Sequence, residues 1–353
     1  MATVAREDAL SAWFAAWSGR PATNLTSVSG DASFRRYFRA ASPAFYHSSQ
    51  RTGSGTETVI LCDAPPETEK NHAFDAIARL LTEAGVRVPA IVHADLDQGF
   101  FILEDLGDQL LLPLLDEQSA DGLYRQALEM LVRISQARSS TFTPPIYDRA
   151  ALARELSLCP QWFCEGLLDI NLDRSSLSMF AGLEKALCER ALDQPRVLVH
   201  RDFHARNLMV LEDGGLATID FQDAVYGPLT YDAVSLLRDC YVRWPDLRVR
   251  SWALQYREIM ISRGIQLPSE DAFLGDFDWM GLQRHIKVLG IFSRLYSRDG
   301  KPGYLPDLPR VMGYVQDVLA NYPTEAALAD CYQWFQDKVL PRAKAARWYG
   351  EQD

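Results

Sequence analysis

The sequence predicts an α+β fold of two lobes: a small lobe at residues 1–106 with a five-stranded antiparallel sheet, and a larger helical lobe at residues 107–353. Short segments with strand character dominate the first part of the chain. After Gly107 the apolar residues recur at helical spacing, apart from one hairpin. A chain of 353 residues can bury two cores, so a cleft between two lobes is the expected ligand site.

The small lobe is expected to open with an amphipathic helix over residues 7–18. Its apolar side chains recur at a spacing that places them on one face: Leu10, Trp13, Phe14 and Trp17. Short strands are expected at Leu25–Val28, Phe34–Arg39, Thr58–Leu61, Ile91–His93 and Phe100–Leu103. A helix at about 67–84 lies between the third and fourth strands and ends at Gly85, a helix cap. The segment 43–57, rich in Ser, Thr and Gly, is an expected mobile excursion.

One hairpin interrupts the helical part of the chain. Two apolar runs, at 208–211 and 216–219, flank the turn Asp213-Gly214-Gly215. Apolar runs on either side of a short turn that contains Gly are typical of a β-hairpin. The hairpin folds the chain back, so we expect Asn207 at its start and Asp220 at its end to lie side by side.

The residues around this hairpin match the requirements of phosphoryl transfer. Asn207 and Asp220 would offer two hard oxygen ligands, which suit Mg²⁺ when phosphate oxygens complete its coordination. Asp202 comes five residues before Asn207, in a position to receive a proton from an attacking hydroxyl. The string HRDFHARN with the later DF is the arrangement of a protein-kinase-like fold. An ordinary polar surface hairpin is the alternative, and it does not explain the complete set of spacings.

A nucleotide site is expected in the small lobe. The stretch SGDASFRRYFR lies between two strand segments, where a phosphate-covering loop would sit. Its candidate nucleotide-binding residues are Gly30, Asp31, Ala32 and Ser33. Residues 102–107 would form the hinge, with Glu104 and Leu106 contacting the adenine through main-chain atoms. A plain hairpin turn and a structural linker are the respective alternatives.

The third strand departs from the kinase pattern, in which a Lys on this strand holds the α- and β-phosphates. Here the strand reads TVILCDAPP, with Cys62 or Asp63 in the place of the Lys. Strand alternation puts Arg36 on one face with Phe34 and Phe38, and Arg35, Tyr37 and Arg39 on the other. We expect the first face to look onto the cleft, which makes Arg36 the candidate replacement. Lys70 is the second choice, and solvated surface arginines are the alternative.

The composition excludes several classes of protein. A net charge of −11 argues against a nucleic-acid partner, which requires a basic surface. The six cysteines have no CxxC spacing and are expected to be reduced, mostly buried thiols. The N-terminus does not resemble a signal peptide, and no apolar run approaches the length of a membrane span. We therefore expect a cytoplasmic enzyme with small-molecule ligands and no evident protein partner.

Several blocks of the sequence carry a family resemblance. The segments HRDFHARN and IDFQDAVYGP resemble the aminoglycoside phosphotransferase and choline kinase-like enzymes. More narrowly, GDASFRRYFR, CDAPPE, ILEDLGD, IDFQDAVYGPLTYD and RHIKVLGIFSRLYSRDGKPGYLPDLPR resemble the anomeric N-acetylmuramate/N-acetylglucosamine kinases of Gram-negative bacteria. The resemblance spans residues 30–310. It implies ATP- and Mg²⁺-dependent phosphorylation of the anomeric hydroxyl of these amino sugars, in cell-wall recycling towards UDP-N-acetylmuramate.

Sugar recognition is expected from the helical lobe. Residues 284–310 are dense in Arg, Lys and Tyr, and N-acetylmuramate carries a lactyl carboxylate that suits an Arg. Arg294 and Arg298 lie one helical turn apart and could bind this anion together, although a solvated helix face is the alternative. Asp223 could contact the sugar or cap a turn. An antibiotic kinase would share the catalytic residues but needs an acidic substrate site, and a pseudokinase would lack one of the three polar catalytic residues.

Overall fold

The computed structural model describes residues 2–19, 25–28, 34–41 and 58–350. The described chain forms two compact units. The first contains the chain up to Leu111 together with Ala137–Thr143 and Asn207–Asp223, and the second contains Leu112–Gln136, Pro144–Arg206 and the chain from Ala224 onwards. The prediction placed a single boundary between the lobes, at 106/107. In the structure the first unit also includes the hairpin segment, which comes much later in the chain. Its backbone bonds explain this, because the amide of Leu111 donates to the carbonyl of Leu208 at 2.8 Å.

The first unit contains the five-stranded antiparallel sheet that the sequence predicts. The strands are β1 (Thr26–Val28), β2 (Arg36–Ala41), β3 (Thr58–Asp63), β4 (Ile91–Asp95) and β5 (Phe100–Glu104), in the order β1-β2-β3-β5-β4. Helix α1 (Ala2–Ser18) covers one face, and its apolar side chains pack on alternate residues of three strands. The shared core consists of Leu10, Phe14, Phe38, Ala40, Val59, Leu61, Phe100 and Ile102.

Helix α2 (Asn71–Glu83) contributes aromatic packing to the same unit. It begins later than predicted because the residues just before it form a turn, in which the Glu69 amide donates to the Pro65 carbonyl. Its end agrees with the sequence, since Gly85 has a φ of 72° in the left-handed region that glycine tolerates. Phe74 of α2 packs edge-on against Phe101 of β5 and stacks on Phe221, which follows the hairpin.

The hairpin itself is present as β7 and β8, after a strand β6 in the second unit. The strands are β6 (Arg196–Val199), β7 (Leu208–Val210), β8 (Leu216–Thr218) and β9 (Val225–Pro228). Strand β7 pairs with β8 in antiparallel register, with Leu208 opposite Thr218, while β6 pairs with β9. The amide of Thr218 donates to the carbonyl of Arg87, so the hairpin is anchored to the chain segment that follows α2.

Helices make up most of the second unit. They are α3 (Ala120–Gln136), α4 (Arg149–Leu156), α5 (Arg174–Asp193), α6 (Tyr231–Leu237), α7 (Asp246–Ser262), α8 (Glu270–Ser297), α9 (Leu308–Asn321), α10 (Ala326–Trp334) and α11 (Leu340–Ala345). The long helix α8 is mostly buried. At Gly290 the backbone of Leu158 comes so near that a Cβ would lie 2.4 Å from its carbonyl carbon, so only glycine fits. All six cysteines are free and buried, as predicted. Each helix of the described ranges is too short or too polar to cross a bilayer.

Candidate active site

The loop that carries Asp202 is held by a carboxylate from α6. The amides of His200 and Arg201 donate to the two carboxylate oxygens of Asp232, at 2.6 and 3.0 Å. Arg201 has a φ of 77°, a backbone conformation that residues other than glycine rarely adopt. Such strain persists where surrounding contacts impose it, and it is common at active sites. Asp232 therefore fixes the backbone immediately before Asp202.

The electrostatic surroundings of Asp202 favour its ionised form. Burial raises the pKa of the Asp202 carboxyl, but the charges of Lys287, His204, Arg201 and His200 outweigh this, and the net pKa lies below the usual value. A carboxylate with a lowered pKa is ionised at neutral pH. It can accept a hydrogen bond from a hydroxyl and receive its proton as the oxygen acts as a nucleophile.

Lys287 of α8 is the principal cation near Asp202, and sequence reasoning did not identify it. Its ammonium donates to the hydroxyl of Tyr231 at 2.9 Å and pairs with Glu155 at 3.2 Å. Glu155 also pairs with Arg201 and accepts a hydrogen bond from Tyr147. Burial raises the pKa of Glu155, but the charges of Lys287 and Arg201 outweigh this, and the net pKa lies below the usual value. The only sequence signal was the basic stretch itself, because linear spacing does not reveal that α8 brings a lysine to the catalytic loop.

The hairpin brings together the two residues predicted to hold a metal ion. The amide of Ile219 donates to the carbonyl of Asn207 at 3.0 Å, so Asp220 follows a residue bonded directly to Asn207. The Asn207 side chain is buried, and Asp220 has a φ of 63°, again in the left-handed region. The carboxylate of Asp220 accepts a hydrogen bond from the side-chain amide of Gln222 at 2.7 Å. A buried amide oxygen and a carboxylate at one hairpin end are donors that Mg²⁺ accepts.

Arg36 lies on the same face of the sheet as Phe38, as predicted, but α1 covers this face, which was expected to look onto the cleft. Its guanidinium binds the carboxylate of Asp63, at 2.6 Å, beside a second bond from Arg6 of α1. It also lies over the ring of Phe38, 5.6 Å from the centroid, on the face that α1 covers. Strand alternation was correct, but the sequence did not show that α1 would cover this face. Arg36 therefore belongs to a structural ion-pair cluster with Asp63.

Glu104 lies at the end of β5, where the hinge was predicted. Its amide donates to the carbonyl of Ala90 at 2.9 Å. Its side chain binds Arg87 at 2.5 and 2.7 Å. Leu106 follows two residues later and is half-buried. The main-chain role predicted for both residues stays a prediction.

Asp105, between those two residues, organises the hinge backbone. Its buried carboxylate accepts hydrogen bonds from Arg39 at 2.6 Å, from the hydroxyl of Thr58 at 2.5 Å and from the amide of Gly107 at 2.9 Å. Burial raises the pKa of Asp105, but these donors lower it below its usual value. Gly107 has a φ of 86°, so the turn after the hinge requires a residue that tolerates this region.

The remaining nucleotide candidates have mixed outcomes. The predicted phosphate-covering residues Gly30, Asp31, Ala32 and Ser33, like the segment 43–57, lie outside the described residues. Lys70 is exposed and pairs with Asp223 at 3.0 Å. Asp223 is therefore ion-paired, and its proposed contact with a sugar would require it to exchange this partner.

The two arginines predicted to read a carboxylate lie near the end of α8. Burial and the neighbouring charge of Arg298 lower the pKa of Arg294. Arg298 is exposed and binds Asp299 at 2.7 Å. His285 is fully buried and stacks on Tyr314, and burial lowers its pKa to about 3, so it is a neutral packing residue.

A group of aromatic residues beside the catalytic loop was missed. Tyr241 contacts His204 edge-on and stacks with Phe292, and Phe292 lies 5.0 Å from Tyr304. The guanidinium of Arg206 lies 3.6 Å from the centre of the Tyr241 ring. Aromatic faces and a stacked guanidinium offer apolar contact area together with hydrogen-bond donors. Because these residues come from four separate segments, their proximity could not be deduced from sequence.

Comparisons with known proteins agree with this arrangement. A sequence model of the phosphotransferase enzyme family matches residues 24–264. The N-acetylmuramate/N-acetylglucosamine kinase of Pseudomonas putida is 41% identical over 316 residues, covering 89% of this chain and 89% of that protein. The protein of the same name from Neisseria meningitidis is 38% identical over 310 residues, covering 86% of this chain and 88% of that protein.

Solved structures with similar folds are more distant in sequence. An ADP-bound aminoglycoside phosphotransferase, APH(2'')-Ib, matches with a TM-score of 0.57 at 14% identity, covering 88% of this chain and 98% of that chain. An ethanolamine kinase from Plasmodium vivax matches with a TM-score of 0.59 at 12% identity, covering 90% of this chain and 84% of that chain. These similarities confirm the protein-kinase-like fold that the sequence predicts.

Proposed function

The chain belongs to the phosphotransferase enzyme family and, within it, to the N-acetylmuramate/N-acetylglucosamine kinases; from this we propose that it transfers the γ-phosphoryl group of ATP to the anomeric hydroxyl of either amino sugar. The observation that carries the proposal is the 41% identity over 89% of both chains, in a protein that carries Asp202, Asn207 and Asp220 at the spacing of the kinase motif. The sugar 1-phosphate product is the form from which a nucleotide sugar is made. The enzyme would thus return recycled cell-wall sugars towards UDP-N-acetylmuramate.

Asp202 is the residue that would accept the proton of the sugar hydroxyl. Its lowered pKa keeps it ionised, and the hydrogen bonds that the two preceding amides donate to Asp232 set its backbone position. Phosphoryl transfer mainly requires positioning and neutralisation of charge. An anomeric hydroxyl is more acidic than other sugar hydroxyls, so a carboxylate of low pKa suffices as the acceptor.

Asn207 and Asp220 are the residues that would hold Mg²⁺. Their oxygens fit a hard cation, and the hairpin pairing keeps the two positions together. When bound, the ion would neutralise charge on the phosphates of ATP. Glu104 and Leu106 would contact the adenine through main-chain atoms, and the loop at 29–33 would cover the phosphates.

The geometry of α8 supports a role for Arg294 in binding the lactyl carboxylate of N-acetylmuramate. Arg294 comes seven residues after Lys287, so both lie on one helical face about 10 Å apart along the axis. Lys287 acts on Asp202, which would bind O1 of the sugar. Binding of the lactyl carboxylate by Arg294, with Arg298 one turn further, would require a sugar whose O1 meets Asp202 to extend along this face of α8. The rings of Tyr241 and Tyr304 would supply apolar surface, and Asp223 would contribute a sugar contact.

The alternative acceptor is an aminoglycoside or another small molecule. An aminoglycoside is a polycation, and Arg294 of α8 offers a positive charge where such an acceptor would need acidic side chains, which favours an anionic or neutral sugar. This charge distribution supports N-acetylmuramate and N-acetylglucosamine over an antibiotic.

The proposal can be tested with a panel of acceptors. Purified protein is incubated with ATP and Mg²⁺ and with N-acetylmuramate, N-acetylglucosamine, glucosamine, choline or an aminoglycoside, and ADP release is measured. We expect turnover with the two N-acetyl sugars, and its loss in Asp202→Asn. Turnover that is confined to choline or the aminoglycoside would contradict the proposed function.

A further inference from the structure

The third strand of the sheet has no lysine. The two residues at the expected position of the lysine, Cys62 and Asp63, are buried and make contacts within the sheet. Cys62 lies opposite Tyr37 of β2 in the strand register and is fully buried. Asp63 is fully buried and binds the guanidinium groups of Arg6 and Arg36. The nucleotide phosphates therefore require a cation from another part of this unit.

Arg35, the residue before β2, lies on the face opposite α1. Its side chain is only 2% exposed, and its guanidinium pairs with the carboxylate of Glu69 at 3.2 Å. The same guanidinium lies over the ring of Phe74, 5.1 Å from the centroid. Glu69 comes two residues before α2 and also accepts a hydrogen bond from the amide of Phe34 at 3.1 Å. A strand cation and a carboxylate at the start of the following helix thus form a buried pair.

This pair lies close to the residue proposed to hold the metal ion. Phe74, which stacks under Arg35, is itself stacked on Phe221 with ring centres 5.0 Å apart. Phe221 directly follows Asp220 in the chain. The stacked rings of Phe74 and Phe221 therefore connect the Arg35 guanidinium to the residue next to Asp220.

We propose that Arg35, just before β2, supplies the cation that binds the nucleotide phosphates, with Glu69 as its positioning partner; this rests on the proposed function, in which ATP is the donor. A guanidinium can bind two phosphate oxygens at once, and its planar geometry suits this better than an ammonium. A buried cation needs strong partners. Glu69 and the Phe74 ring provide them and also fix the direction of the guanidinium. Arg36 is less suited, because its guanidinium pairs with Glu7 and Asp63 on the face that α1 covers, whereas Arg35 contacts Phe74 of α2.

The test compares two ligands that differ only in their phosphates. Binding of ADP with Mg²⁺ and of adenosine is measured by calorimetry for the wild type, R35A, R35K, R36A and R79A. R36A tests the competing assignment, and R79A removes an exposed arginine of α2 that pairs with Asp75. In R35A we expect ADP binding to weaken about ten- to a hundredfold while adenosine binding stays the same. R35K should lose a smaller factor, and R36A and R79A should keep the wild-type ratio of ADP to adenosine affinity.

Two outcomes would overturn the inference. An unchanged ratio of ADP to adenosine affinity in folded R35A would show that Arg35 does not bind the phosphates. A ratio that is lowered only in R36A would assign this role to Arg36. If circular dichroism shows that R35A does not fold, R35K decides, because it keeps the charge and should still lower the ratio. A wild-type protein that binds no ADP would overturn the proposed function as well, whereas ADP binding without any effect of R35A or R35K would overturn only the inference.

Discussion

Replacement of Lys287 with Met tests the electrostatic account of the catalytic residue. The catalytic residue belongs to a group of four charged side chains. Two of them are cations, Lys287 and Arg201, and two are anions, Glu155 and Asp202. Met is close to Lys in length but carries no charge, so the substitution leaves one carboxylate without a matching cation. The largest charge that lowers the pKa of Asp202 is also removed, since Lys287 precedes the two histidines and Arg201 in its effect.

Two magnitudes follow from this change. Removal of one partner of a buried ion pair costs about 3–5 kcal/mol, and we expect the lower end because Glu155 keeps Arg201. The pKa of Asp202 should rise, with each pKa unit equal to about 1.36 kcal/mol. A proton acceptor must be ionised, so activity is lost as the pH falls through this pKa. A higher pKa therefore shifts the acidic limb of the kcat/KM profile to higher pH.

The assay is the pH profile of kcat/KM for N-acetylglucosamine, together with the unfolding temperature. Lys287→Arg keeps the charge and should keep the acidic limb where the wild type has it. The double variant Lys287→Met/Glu155→Gln restores equal numbers of cations and anions and should recover part of the lost stability. An acidic limb that stays in place in folded Lys287→Met would refute the idea that this lysine keeps Asp202 ionised.

Three further predictions concern the proposed site. Asp202→Asn keeps the side-chain size but cannot accept a proton, so kcat should fall about a hundred- to ten-thousandfold with nearly unchanged ADP affinity; turnover close to wild type would exclude it as the base. Asp220→Ala, and less severely Asn207→Ala, should raise the Mg²⁺ concentration needed for half-maximal activity, because each loses a hard oxygen ligand; an unchanged titration for Asp220→Ala would contradict this. Arg294→Ala or Arg298→Ala should lower kcat/KM for N-acetylmuramate about ten- to a hundredfold while sparing N-acetylglucosamine; equal losses for both sugars would favour a solvated helix face.

Local patterns in the sequence were enough to predict the sheet and the catalytic hairpin. Alternating apolar residues and turn chemistry act over a few residues, so the strands, the Gly85 cap and the return of the hairpin to Asn207, which accepts a bond from Ile219, followed from them.

Features that depend on the packing of distant helices and strands against each other could not be predicted from the sequence. Strand alternation separated Arg35 from Arg36 correctly, but only the packing of α1 decides which of the two faces is covered. Lys287 reaches the catalytic loop from a helix many residues later in the chain, and Glu155 from an earlier one. A single sequence gives no distance between such segments, so long-range ion pairs appear only in the structure.

The most direct test of the central claim is the position of the phosphate in the product. The protein is allowed to convert N-acetylglucosamine with ATP and Mg²⁺, and the purified product is examined by proton and phosphorus NMR. We expect the phosphorus to couple to the anomeric proton, which shows that O1 was the nucleophile. Coupling to protons at C6 or C3, or recovery of unmodified sugar with intact ATP, would contradict the assignment of this chain as an anomeric sugar kinase.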